Sequence, residues 1–279
     1  AVGMSALRYG TAGSNNAAFG GSALQNNTAS NNTAVGFQSL KENTTGTQNV
    51  AVGASTLDAN TTGQYNTALG FEALGSNTTA SNNVALGRAA LFANTTGANN
   101  VAVGRQALYS NSTGYDNTAV GELAMDANTT GVYNTALGSG SLGANTTGVQ
   151  NTAIGTFALH YSQTGMNNTA LGYSALLNNT GSGNIAIGSF CLDANTSGGS
   201  NVAVGQNALT ANTTASNNTA VGQSALAANT TGAYNVAVGT DSLDANTTAS
   251  FNTAVGYRTL SSNTTGTPNT AIGGDAMRE

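Results

Sequence analysis

Asn218-Thr219-Ala220-Val221-Gly222-Gln223-Ser224-Ala225-Leu226 is one copy of a motif that recurs along the whole chain. Its glycine falls at 3, 20, 36, 53, 70, 87, 104, 121, 138, 155, 172, 188, 205, 222, 239, 256 and 273. Fourteen of the sixteen spacings are 17 residues, and two, 20 to 36 and 172 to 188, are 16. A fixed period this short predicts a solenoid, in which each coil packs only on its neighbours. Numbered from the glycine, position −4 is Asn in all 16 copies that contain it, and −2 is Ala in all 17. Position −1 is Val, Leu or Ile except at Phe19, and −3 is Thr, Val or Ile except at Ala17. Leu occupies +4, replaced only by Met125 and Met277, and +3 holds only Ala, Ser, Thr or Cys191. Asn occupies +7 in 14 of 16 copies; Gly10 and Ser162 are the exceptions.

Alternation with period two over −4 to 0 predicts a strand, and the Asn-Thr-Thr-Gly that commonly follows +7 predicts a turn. Between 0 and +7 the pattern fits one helical face. Strands stack about 4.8 Å apart, however, whereas helix axes need about 8–10 Å. A short strand or a single 3₁₀-like turn is therefore expected there. The fold class expected is all-β: a parallel β-solenoid of about 16 coils forming one repeat domain over 1–279, a segment of a longer fibre protein. With Leu at +4 needing a roomy interior, we place −1, −3 and +4 inside the coil. The Asn, Ala and Gly of −4, −2 and 0 then point outward, their small side chains suited to close approach by another subunit. All 17 charged residues fall at +1, +2, +5, +6 or +12, which are expected to be solvated corners.

Composition narrows function. Only 6% of residues are charged, the formal net charge is −5, and the six cations are scattered, so nothing here makes a nucleic-acid surface. No apolar run is long enough to span a bilayer. Cys191 is alone, which excludes an intrachain disulfide and a cysteine metal site, and it is expected to be a small buried residue. His160 is the single histidine, so a histidine metal cluster is excluded. The acids recurring at +5, such as Asp58, Asp126, Asp193 and Asp244, fit solvated corners better than an acid/base pair. No catalytic residue, metal or cofactor is expected, and the chain is not expected to be an enzyme. Asn-Thr-Thr matches a glycosylation sequon many times over, but its period fits a ladder-and-turn role; exposed copies would be acceptors in a secretory pathway.

The motif at 218–226 resembles the head repeats of trimeric autotransporter adhesins, and closely similar repeats occur in bacterial and phage fibre proteins. The resemblance covers the whole chain. It departs in period, since coils of those heads are shorter than 17 residues. It implies a left-handed parallel β-roll, a homotrimer of chains side by side, and an extracellular place, either at the cell surface on an outer-membrane anchor in the parent protein or on a virion tail fibre.

The leading expectation is thus the head or shaft of a trimeric surface fibre that mediates attachment to another cell or surface, with a cell-surface glycan or protein as partner. A passive fibre spacer is the alternative. So is an ice-binding solenoid, although the −3 Thr rank is interrupted at Val50, Val84, Val101 and Ile185. One region departs from the repeat, residues 156–190. Asn becomes Ser162 at +7, His160 stands beside Tyr161, Phe157 and Phe190 both occupy +2, Tyr173 occupies +1, and one coil is a residue short. His160, Tyr161, Tyr173, Phe157 and Phe190 are the candidate ligand platform, with the shortened coil expected to shape it.

Overall fold

The computed structural model describes residues 1–10 and 13–278. It is an all-β parallel β-solenoid, without helix among the described residues. Contacts divide the chain into two compact units, Ala1–Gly140 with Ala144–Thr147, and Ser141–Gly143 with the chain from Gly148 onward. The first holds β1 (Ala17–Phe19), β2 (Thr33–Val35), β3 (Val50–Val52), β4 (Thr67–Leu69), β5 (Val84–Leu86), β6 (Val101–Val103), β7 (Thr118–Val120) and β8 (Thr135–Leu137). The second holds β9 (Thr152–Ile154), β10 (Thr169–Leu171), β11 (Ile185–Ile187), β12 (Val202–Val204), β13 (Thr219–Val221), β14 (Val236–Val238), β15 (Thr253–Val255) and β16 (Thr270–Ile272). Within each unit consecutive strands pair in parallel with like offsets in register, as Ala34 on Ala51 in the first and Ala203 on Ala220 in the second.

The interior is the reverse of what the strand pattern suggested. Ala at −2 is sealed inside, with Ala34, Ala102, Ala136 and Ala203 at 0% exposure. So are the Asn side chains at −4, while −3 and −1 face outward. The expectation failed on volume: Leu at +4 enters from the opposite wall of the coil, and Ala on the strand is what leaves it room. Leu108, Leu142 and their equivalents are accordingly buried, apart from Leu7 and Met277 in the end coils. The glycine at 0 does serve close backbone approach, but to the next coil of the same chain. Gly36 has φ 136°, and a Cβ there would collide with the carbonyl of Gly53.

Two rows of buried asparagine complete the core. Asn at +7 donates to the Asn one coil earlier, as Asn60 Nδ2 to Asn43 Oδ1 at 2.7 Å, and closes its own turn on the carbonyl of Gly63 at 3.0 Å. Asn at −4 accepts the backbone N–H of the next copy through its Oδ1, as Asn49 does from Asn66 at 3.0 Å, and donates to the turn of the following coil, as Asn49 Nδ2 to Gly63 O at 2.9 Å. Burying an amide is costly unless both ends are satisfied, and coils such as these satisfy both with their own copies; Asn252, whose buried Nδ2 has no partner, is an exception.

The 0 to +7 segment is neither a strand nor a 3₁₀ turn. Residues +2 and +4 are left-handed in coil after coil, as in Gln38 (φ 58°) and Leu40 (φ 50°). Two tight bonds bracket the segment, Ser39 N–H to Gly36 O at 3.4 Å and Asn43 N–H to Leu40 O at 3.3 Å, while Leu40 N–H reaches the next coil at Thr56 O. A third left-handed residue precedes the −4 Asn, as in Tyr65 (φ 59°). β-Branched side chains are strongly disfavoured at positive φ. That explains why +4 is Leu or Met and never Val or Ile, and why +2 carries no Val, Ile or Thr.

The two short coils lose their residue in the same place. Where a full coil closes Asn60 on a carbonyl three residues on, Asn27 and Asn179 close on carbonyls two residues on, Ala29 and Gly181. Both Asn rows continue, Asn43 donating to Asn27 and Asn195 to Asn179, and strand register is unchanged. No described charged residue is buried; Glu279 lies outside the described residues. Asp58 and Asp244, both half-buried at +5, have carboxyl pKa values pushed up by burial.

Candidate functional site

The strands leave an apolar surface on their outer side. In the first unit Phe19, Val35, Leu69, Leu86 and Leu137 are 38–52% exposed at −1. In the second, Leu171, Ile187 and Ile272 stand likewise. Between them at −3 lie Thr, Val or Ile, apart from Ala17, with Val50, Val84, Ile185 and Val236 exposed. No charged residue occurs at either offset. In each unit, therefore, a band of β-branched and Leu side chains faces solvent without a polar or charged interruption other than the Thr hydroxyls. Soluble monomers seldom carry extended apolar bands of this kind.

The second feature is aromatic, and the five platform residues all meet. Tyr161 packs on His160 (centroids 4.6 Å apart, planes at 72°), and His160 on Phe157 (5.2 Å, 74°). Phe157 reaches Tyr173 in the next coil (6.4 Å, 71°), and Tyr173 reaches Phe190 in the coil after (5.3 Å, 75°). The rings stay 38–54% exposed at Phe157, Tyr161, Tyr173 and Phe190, and His160 is half-buried. The turn places them: Phe157 (φ 58°) and Phe190 (φ 55°) occupy the left-handed +2 position, which swings their rings toward Tyr173 at +1.

The shortened coil does not shape this platform. Its missing residue lies in the turn after Asn179, whereas the rings sit at +1, +2, +5 and +6. The other short coil, 20 to 36, carries the same omission without any such cluster. Ser162 is buried, and its Oγ has no hydrogen-bond partner.

Other chemistry is muted. The thiol of Cys191 is buried, donates to Ala203 O at 3.2 Å and has its pKa pushed up to about 12 by burial, so it is a protonated spacer and not a nucleophile. The ladder asparagines that form sequons, such as Asn60, Asn94 and Asn212, are fully buried and hydrogen-bonded, so they are not acceptors in the folded chain. Among the described residues no group of three or more His, Cys, Asp or Glu could hold a metal ion, and no helix is long and apolar enough to cross a membrane. No protein-family model and no curated protein matches the chain.

The five aromatic residues stand out by their offsets; their contacts and the apolar band do not. The absence of β-branching at +2 and +4 is the mark of positive φ there; the +4 Leu lies inside as expected, and it is the strand's Val and Leu at −1 and −3 that face outward.

Proposed function

We propose that the chain is a segment of a surface fibre assembled from copies of itself through the outer strand face, three side by side, and that the fibre attaches its bearer to another cell or surface. The observation that carries this is the uncharged apolar band at −1 and −3. A surface that repeats once per coil is matched along its length only by a partner with the same repeat, and a second copy has it. Burial of such side chains contributes about 25 cal/mol per Å², and a band repeated on every coil accumulates that gain. The Asn/Ala/Gly face, expected earlier at the interface, is inside the coil and takes no part. Light scattering on the intact chain tests the proposal: a mass near three times 27.4 kDa is expected, and a stable 27.4 kDa monomer at micromolar concentration overturns it.

One observation favours a second reading, ice binding. The Thr at +9 is exposed in every coil from Thr45 to Thr147 in the first unit, whereas the neighbouring +8 hydroxyl is spent on the next coil, as Thr61 Oγ1 on Thr78 O at 3.0 Å. A thermal-hysteresis assay separates it, since a fibre segment is expected to show none.

A further inference from the structure

We infer that the ring chain Tyr161–His160–Phe157–Tyr173–Phe190 is a binding site for a neutral saccharide, seated by stacking of its C–H faces on the rings. This deepens the attachment proposed above, by giving it a ligand class and a place, and rests on it only for its biological use.

The rings are not there for the fold. Phe157 and Phe190 occupy an offset that holds no other aromatic and is often Ser22, Ser55, Gly140 or Asn207, and Tyr173 one that takes Ser139 or Ser189 as readily as Phe37, Phe71 or Tyr257. Left-handed backbone is costly for a bulky residue, and burial does not compensate it, because both phenylalanines remain about two-fifths exposed.

Their geometry also differs from aromatic packing elsewhere on the chain. Phe92 and Tyr109 stack at 11°, and Tyr234 and Phe251 at 2°, so each contact covers two ring faces. Tyr115 and Tyr133 form one isolated edge-to-face pair. In the platform four successive contacts are edge-to-face, and an edge covers only one face of its neighbour. Five rings have ten faces, of which these contacts occupy four. The remaining faces lie in a corrugated strip across three coils, with the hydroxyls of Tyr161 and Tyr173 alongside as hydrogen-bonding groups. A flat apolar face rimmed by neutral hydroxyls suits a sugar ring, which presents C–H groups on one side and hydroxyls around its edge.

Charge selects within that class. Residues 127–192 contain no Asp, Glu, Lys or Arg. At the chain's 6% frequency about four would fall in a stretch of that length. An acidic glycan, phosphate or charged peptide finds no fixed counter-charge there, whereas a neutral saccharide needs none.

The test uses the full chain on an array of neutral gluco-, galacto- and manno-oligosaccharides beside sialylated and sulfated ones. The triple variant Phe157→Ser/Tyr173→Ser/Phe190→Ser places at each site a residue the same offset already tolerates. Tyr234→Ser/Phe251→Ser removes a stacked pair as control. Expected is binding to one or more neutral saccharides, at least tenfold weaker in the triple variant and unchanged in the control. No neutral saccharide bound, equal binding by the triple variant, or binding confined to acidic glycans overturns the site. Light scattering on the same samples keeps the two proposals apart. A monomer that binds sinks the fibre and spares the site, and a trimer that does not bind sinks the site alone.

Discussion

Ala136 and Leu137 are neighbours in β8 and live in different surroundings. Ala136 is at 0% exposure against the Leu wall of its coil; Leu137 is 46% exposed on the outer face. The smaller residue makes the core and the larger faces solvent, the opposite of the usual sorting by hydrophobicity. What decides is volume. A 17-residue coil encloses so little space that the Leu at +4, the small residue at +3, the Ala at −2 and two Asn fill it, so the strand must give its small side chains to the inside. The apolar bulk left outside becomes available for association.

The sharpest way to break this contrast is to place the same charge on both neighbours. Ala136→Glu buries an unpaired carboxylate and should cost at least about 4 kcal/mol, seen as loss of the cooperative melt by circular dichroism. Leu137→Glu should leave the melting of the isolated chain within about 0.5 kcal/mol while preventing, by light scattering, the self-association proposed for the outer face. Equal melting of the two variants would mean the faces are not distinct. Within the core, Leu108→Ala should destabilise by about 2–5 kcal/mol in chemical denaturation, because the surrounding Ala and Asn cannot move in to fill the space. Asn111→Ala tests the polar wall. It removes the acceptor of one Asn128 N–H, whose amide keeps Gly131 O, and the donor to Asn94 Oδ1 and Gly114 O, at about 1–3 kcal/mol for each buried group left unpaired.

The smallest effect concerns the corners. Burial raises the pKa of Asp58 above its ordinary value of about 3.9. The folded chain therefore holds that proton more tightly than the unfolded one, so this residue adds stability as pH falls through its raised value and has given all of it below the unfolded value. Asp58→Asn should be slightly more stable than the parent at pH 7, and the difference should close by pH 3. Glu42, lowered by its hydrogen bond to Lys41, works in the opposite direction; comparing parent and variant cancels it.

Much of this was visible before any coordinates. The period, the parallel stacking, the Leu row and the solvated corners follow from offsets, because a repeat displays its constraint once per coil. Two things are hidden, each for its own reason. Alternation shows that −2 and −1 point opposite ways but not which way is in, and the room that the +4 Leu needs can come from small strand side chains facing it as well as from a wider coil. The close meeting of Tyr173 with Phe157 and Phe190 depends on a left-handed +2 backbone, which the Ser, Gln, Asn and Asp at that offset hinted at and Phe concealed.

The bonds from coil to coil join residues 18 or fewer apart in sequence, as Asn43 to Asn27, Asn60 to Asn43 and Gly53 to Val35. Against 279 residues that separation is about 0.06 of the chain, at or below the relative contact order of helical bundles and far under the roughly 0.16–0.22 of other all-β folds. Lengthening the array lowers the ratio further. Once a first pair of coils has closed, each later coil is a short loop finding an edge already formed, so folding can follow the chain as it is synthesised, one coil for every 17 residues delivered.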